Sequence, residues 1–304
     1  MTEENTKLTK IRHLVLSGGG GTGFAYYGAM RESNKDGFWN INEIESIHGI
    51  SCGAILAFFL STLKHIDWEH YDDYCIKRPW ETVFGFSPEK LLKAYTNVGI
   101  CDRETIEMIV GPVLKALDLS LNINLQEFYE FSGIEIHYYT TNLTTYQLVD
   151  LSHKTHPEWK VVDCIYSSCA LPLLFKPNRI NGEIYVDGGF LCNYPLQQCI
   201  EQVDNSDEIF GMNKIHDPSI EPLTDYENIT SFLLDILSKT VSKLIPKPPK
   251  SKYTMEFVDG VTSVWEVYEV LKTKASRTSR IDQGAKEWQK YKRTIEFGQG
   301  RSEE

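Results

Sequence analysis

The segment Leu14–Met30 reads LVLSGGGGTGFAYYGAM: an apolar triplet, a serine, four consecutive glycines, then small and helix-compatible residues. An apolar run that halts at glycines and resumes as a helix is a β-strand entering a helix through a tight turn. The backbone amides of such a turn face any anion held at the helix N-terminus. Two anions fit, a nucleotide phosphate or the negative oxygen of a reaction intermediate. Gly18, Gly20 and Gly23 have the G-x-G-x-x-G spacing of a dinucleotide fingerprint. That fingerprint needs a ribose-binding acid at the end of the second strand, about 20 residues on. Glu43 and Glu45 are in range, but they stand before or at the start of the strand predicted over Glu45–Gly49. No Gly-Lys-Ser/Thr follows, which excludes a P-loop. A tight turn without any ligand is the plain alternative.

The next strand-to-helix junction bears on the choice. His48–Leu56 reads HGISCGAIL, so Gly49, Ser51 and Gly53 form G-x-S-x-G between the predicted strand and an apolar helix over Ser51–Leu63. In that context the pattern is a nucleophile elbow. Its turn is sharp, so side chains at 49 and 53 would collide with backbone. The serine hydroxyl then stands at a helix N-terminus, where the dipole favours developing negative charge. A helix N-cap serine is the alternative reading. Cys52 is a rival nucleophile, but it is expected to point into the helix. A third junction, YVDGGFLCNYP, ends a predicted strand (Glu183–Asp187) on Asp187, with Gly188 and Gly189 after it. Taken alone, Asp187 reads equally as the cap of an Asx-type turn.

A serine hydroxyl needs a base. The order serine, acid, histidine leaves His216 available, and no histidine follows it. His48 belongs to the strand entering the elbow and reads as a packing or solvent-facing residue. The remaining solution is direct contact, with Asp187 accepting the Ser51 proton. A carboxylate in a partly dry cleft has a raised pKa that makes this feasible.

Composition bounds the rest. The chain has 304 residues, 41% apolar, 24% charged and 12% aromatic, enough for a large core. A net charge of -11 excludes a typical nucleic-acid binder and argues against simple electrostatic docking on an anionic bilayer. The 7 cysteines are scattered without CxxC spacing, so no metal site or disulfide framework is expected, and free thiols point to a reducing compartment. The polar N-terminus is unlike a secretory signal, and no apolar run approaches the ~18 residues of a span. The expectation is a soluble intracellular protein, cytoplasmic or at the membrane periphery.

Strands alternating with helices predict an α/β fold with a parallel or mixed sheet and helices on both faces. Further predicted elements are helices at Phe24–Lys35, Arg103–Leu117, Val161–Ser168 and near Gln283–Thr294. Strands are predicted at Glu135–Thr141, Tyr146–Leu151 and Glu208–Met212. Ile229–Ile245 has helical apolar spacing and reads as a helix packed on the sheet or lying on a membrane surface. PKPP at Pro246–Pro249 reads as a loop. The aromatic-rich region 64–132 is either ordinary core or the lining of an acyl channel.

Together, SGGGGTG, GISCG and DGG in this order resemble the patatin-like phospholipases. The likeness extends to SSCALPLLFKPNRINGEIYVDGGFLCNYPL, to DEIFGMNK and to IDQGAKEWQKY, covering residues 11–295 as one domain, with 1–10 and 296–304 as flexible termini. The resemblance implies a three-layer α/β/α sandwich with a mostly parallel sheet. It implies hydrolysis of lipid or phospholipid acyl esters by a Ser-Asp dyad, without cofactor or metal, and transient association with a membrane surface. By position, Ser51 becomes the nucleophile and Asp187 the general base. The loop Gly18, Gly19, Gly20, Gly21 and Gly23 becomes the oxyanion hole, with Gly49 and Gly53 shaping the elbow and Gly188 and Gly189 the acid turn. A protein activator is compatible with the likeness. One position departs from the pattern: Thr22 stands where the family usually has Lys or Arg, which leaves Arg31, Lys35 and Lys176 as candidates for positive charge near the loop.

Overall fold

The strands are set by short β-branched and aromatic runs, each cut off by glycine, proline or a polar turn. The computed structural model describes residues 10–85, 98–216, 247–259 and 264–299. Its strands are β1 (His13–Leu16), β2 (Ser46–Gly49), β3 (Gly99–Cys101), β4 (Glu135–Asn142), β5 (Gln147–Leu151), β6 (Leu173–Phe175), β7 (Asn178–Ile180), β8 (Glu183–Asp187), β9 (Ile209–His216) and β10 (Tyr253–Asp259). The main sheet runs β10-β9-β1-β2-β4 with every pairing parallel, and β5, β8 and β7 join it antiparallel. Helices cover both faces, as the sequence predicts. The predicted helix Ile229–Ile245 and Pro246 lie outside the described residues.

The parallel strands alternate between faces. Leu14, Leu16, Ile47, Ile136, Tyr138, Phe210 and Met212 turn to one face and join the large apolar core. That face is covered by helices Gly23–Lys35, Cys52–Ser61, Arg103–Ala116, Val161–Cys169 and Lys274–Gln299. Cys52–Ser61 is enclosed, with eight of its ten residues buried, as its unbroken apolar composition dictates. The first and last helices cross in backbone contact. A Cβ on Gly28 would sit 2.0 Å from the Ile281 carbonyl oxygen, and one on Gly284 would sit 1.8 Å from that of Ala25. The opposite face carries His13, Ser46, His48 and His137, all buried, beside a small apolar cluster of Val15, Tyr194, Leu196, Cys199 and Ile209.

The strand ends converge because of β4. On one edge β5 pairs with β4 from Tyr138 to Asn142. The other edge is shared: β2 occupies Glu135–Tyr138 in parallel, and β8 occupies Thr140–Asn142 running the opposite way. The two strands therefore approach each other head-on. Gly49 ends opposite Tyr138 and Asp187 ends opposite Thr140, two β4 residues apart, or about 7 Å along the strand. The elbow and the acid turn emerge into that gap.

Candidate active site

Ser51 is the residue on which the elbow turns. It has φ 56° and ψ −124°, a conformation that costs an L-residue roughly 1–3 kcal/mol and persists only when its surroundings hold it. Both of its peptide groups are held. The amide donates to Ser168 Oγ at 3.0 Å, and Ser168 in turn donates to the Tyr139 carbonyl at 2.7 Å. The carbonyl accepts from Cys169 Sγ at 3.1 Å and from the amides of Ala54 and Ile55. The flanking glycines are required by contact: a Cβ on Gly49 would lie 2.6 Å from the Gly53 carbonyl oxygen, and one on Gly53 2.4 Å from that of Leu16. The elbow seats directly against the end of β1.

Asp187 is 4% exposed. Its amide donates to the Ala170 carbonyl at 3.0 Å, and Oδ1 accepts from the Gly189 amide at 2.8 Å. The Ser51 side chain lies close enough to act on this carboxyl. Burial pushes the carboxyl up to about 6, and the Ser51 side chain and the Gly189 amide only partly oppose that rise. Gly188 packs so closely that a Cβ there would lie 2.5 Å from the Tyr139 carbonyl oxygen. Asp187 caps its own turn, as one reading of the sequence has it, and β8 delivers it to the gap into which the Ser51 elbow emerges.

The glycine loop lies against the Ser51 side chain. A Cβ on Gly18 would sit 3.3 Å from Ser51 Cβ. Its amides are unequal. Gly18 donates to the Asn193 carbonyl at 3.0 Å, Gly21 to Glu266 Oε2 at 3.3 Å, and Gly23 back into its own turn. The Gly19 amide lies against the Cys52 thiol. Among the described residues, none accepts from the amides of Gly20 or Cys52. The five glycines expected to share one role thus divide: three amides are spent inside the protein, and Gly20, with φ 57°, lines the cavity beside Ser51. Cys52 also borders that cavity, but burial pushes its thiol up to about 12, so at neutral pH it is no thiolate nucleophile.

The cavity itself holds about 130 Å³ and is apolar. Phe59, Trp80, Phe84, Ile109 and Phe175 form its walls, with Ser51 at one side. Among the described residues of the region 64–132, Trp80, Phe84 and Ile109 border the cavity, while Phe128, Val110 and Leu114 lie in the core.

Other sequence candidates fall elsewhere. Glu43 pairs with Lys10 at 2.9 Å and Glu45 with Arg12, at the N-terminal end of β2; the C-terminal end, where a ribose acid belongs, is occupied by the elbow. His48 is fully buried and packed. It stacks on His137 at 4.3 Å and bonds Ser46 Oγ at 3.1 Å and the Tyr139 hydroxyl at 2.9 Å. His216 ends β9, and its side chain lies outside the described residues. Arg31 is paired with Asp72 and Glu32, Lys35 lies 3.8 Å from Glu32, and Lys176 lies 3.2 Å from Asp102. None of these four pairings reaches the glycine loop. The cation that does reach it is Lys214, whose Nζ donates to the Gly19 carbonyl at 3.5 Å. Its signal was the strand DEIFGMNK: β9 pairs β1 in parallel with Met212 opposite Leu16, so the residue two further along meets the loop.

A serine on a strained elbow, a buried carboxylate at the facing strand end and an apolar cavity thus come together at the C-terminal ends of the sheet strands. Residues 14–200 match the family model of the patatin-like phospholipases, and the chain belongs to that family. It is 26% identical over 190 residues to the probable lipid hydrolase 463L of Invertebrate iridescent virus 6, a match covering 62% of this chain and 63% of that one. It is also 26% identical over 207 residues to a protein of Acanthamoeba polyphaga mimivirus, covering 67% of each. The chain thus spans less than two thirds of the 463L protein. In fold it is similar to VipD from Legionella pneumophila, with a TM-score of 0.51 at 16% identity, covering 93% of this chain and 66% of that one.

Proposed function

We propose that the protein hydrolyses carboxylic esters of lipids, as a phospholipase A-type or related acyl hydrolase, through Ser51 and Asp187. The observation that carries the reading is the convergence of the strained Ser51 elbow and the buried Asp187, whose carboxyl burial has made more basic, in the gap between β2 and β8. The apolar cavity beside Ser51 suits a fatty acyl chain, and family membership agrees.

In this mechanism Asp187 takes the Ser51 proton as Oγ attacks the ester carbonyl. The amides of Gly20 and Cys52 stabilise the tetrahedral oxyanion, which answers the question set by the glycine loop: it holds a transient oxygen anion. Donors of this kind contribute about 3–4 kcal/mol each. The C–O bond to the alcohol breaks, and the alcohol or lysolipid leaves with the proton from Asp187. Water then attacks the acyl-enzyme, giving its proton to Asp187; the bond from the acyl carbon to Ser51 Oγ breaks, Asp187 returns the proton to Oγ, and the fatty acid leaves. Exposure of the cavity to a lipid surface implies transient membrane association. Among the described residues no helix is long and apolar enough to cross a membrane.

The test is hydrolysis of p-nitrophenyl acyl esters and of a phospholipid panel, with products resolved by mass, alongside labelling by a fluorophosphonate. Ser51→Ala is expected to abolish labelling and to lower kcat by roughly 10⁴-fold or more. Full turnover by both Ser51→Ala and Asp187→Asn would refute the dyad.

A further inference from the structure

The glycine loop is gripped from a part of the chain far from it in sequence. The Lys214 amide donates to Ser17 Oγ at 2.9 Å, and Ser17 Oγ lies 2.8 Å from the Tyr26 hydroxyl, so the β9 backbone is registered to the base of the loop. The Lys214 side chain then runs along the loop. A Cβ on Gly19 would sit 3.2 Å from Lys214 Cδ, and Nζ reaches the Gly19 carbonyl, which also accepts from the Thr22 amide at 3.1 Å. Thr22, where the family pattern favours a cation, instead donates its hydroxyl to Asp259 Oδ2 at 2.8 Å. Asp259 and Glu266 also face Arg280, at 3.1 and 3.6 Å, and Glu266 accepts the Gly21 amide. Charged groups from three C-terminal elements thus converge on the loop backbone and Thr22.

The consequence follows from peptide geometry. In a planar trans peptide the N–H points opposite to the C=O of the residue before it. The Gly19 carbonyl and the Gly20 N–H belong to one such unit. Turning the carbonyl toward an ammonium group fixes the N–H toward the cavity and polarises it. Glycines on both sides make this peptide easy to rotate, and Gly20 is already at positive φ, so the anchor matters more here than in an ordinary loop. We propose that Lys214 is a positioning residue for ester hydrolysis, orienting and polarising the Gly20 amide from behind and supplying from β9 the positive charge that Thr22 does not. Burial pulls the Lys214 ammonium down, and the carboxylates of Glu266 and Asp259 oppose that pull. The inference rests on the Ser51–Asp187 reading above.

The experiment compares wild type, Lys214→Met, Lys214→Gln, Lys214→Arg and the double variant Thr22→Lys/Lys214→Met in p-nitrophenyl ester hydrolysis, with kcat and KM separated. Lys214→Met is expected to lower kcat about 10- to 100-fold with KM within about threefold, since a donor orientation is felt in the transition state. Lys214→Arg should recover most of kcat, and the double variant part of it. Lys214→Gln keeps a polar end in the buried slot, serves where the methionine form does not fold, and should also lose kcat. Folded neutral variants with kcat within twofold of wild type would overturn the proposal. A loss that neither Arg at 214 nor Lys at 22 relieves would overturn it equally, by making the role one of packing. An inactive wild type that does not label at Ser51 would instead remove the underlying reading, so the two failures are distinguishable.

Discussion

The two faces of the central sheet treat buried carboxylates in opposite ways. At the C-terminal end of β8, Asp187 is buried with a hydroxyl and one amide for company, and its carboxyl rises to about 6. On the polar face, His137 bridges Asp150 and Glu135 at 2.8 Å each, with Lys154 also on Glu135. There burial also pushes Glu135 up, but hydrogen bonds from His137 and Lys154 outweigh it and bring the carboxyl down to about 2. Burial pulls the His137 imidazole down, and its two carboxylates more than reverse that, leaving it raised. The histidine–carboxylate pair, though it has the chemistry of a catalytic couple, touches no nucleophile and closes a strand-to-strand gap. The carboxylate without a cation is the one beside Ser51 in the proposed dyad. A carboxyl group becomes a base where the fold withholds a cation from it.

The comparison can be broken at either face. The largest expected effect is on turnover. Asp187→Asn should lower kcat by roughly 10³-fold, within the general-base range, whereas His137→Asn should leave kcat within about threefold. Equal losses would erase the functional difference between the faces. Next comes stability on the polar face. His137→Asn leaves two part-buried carboxylates without their shared cation, at an expected cost of about 2 kcal/mol at pH 6. The folded pKa of His137 lies above its ordinary value. Its contribution is therefore full below about pH 6.5 and is lost as pH rises through the folded pKa. Thermal melts of both proteins should accordingly converge as pH rises above neutrality. A gap that widens would contradict the charge assignment.

The smallest effect has the opposite sign. Asp187 also has a raised pKa, so the stability it contributes is present below pH 3.8 and lost as pH rises through about 6. An asparagine side chain at this position would escape that loss while still accepting the Gly189 amide. At pH 8 the Asp187→Asn protein should be more stable than wild type by about 1–2 kcal/mol, and near pH 5 the advantage should shrink. Denaturant unfolding at the two pH values checks this.

The sequence carried the features written in adjacent residues. Each of the strand-to-helix junctions at Gly18–Gly23 and Gly49–Gly53, and the Asp187 turn, is a local pattern, and each formed where the residues predicted it. The helices predicted at Phe24–Lys35, Arg103–Leu117 and Val161–Ser168 and the strand Glu183–Asp187 match closely too, whereas β3, β6, β7 and the helices Trp68–Lys77, Trp80–Phe84 and Leu125–Ser132 have no predicted counterpart. What stayed hidden is what long-range register decides. Nothing in β2 or β8 announces that both would share one edge of β4. The cation behind the loop is 195 positions from its carbonyl acceptor, and Asp259 and Glu266 reach the loop, with Arg280 behind them, from three separate C-terminal elements with no common motif. β10 had the period-two burial of Tyr253, Met255 and Phe257, but it follows a lysine- and proline-rich stretch that reads as loop. The last helix begins at Lys274, well before its predicted start, because its first turns are polar and dock through Arg277 rather than through an apolar stripe. Arg277 donates to the carbonyls of Leu271, Ile76 and Arg78.

The most direct test of Asp187 as the base is the pH dependence of kcat/KM for a p-nitrophenyl acyl ester, which reports the free enzyme. Wild type should rise about tenfold per pH unit on the acid side and level off above an apparent pKa near 6. Asp187→Asn should lack that limb. A wild-type profile that is flat between pH 4.5 and 8, or the same limb retained in Asp187→Asn, would contradict the account.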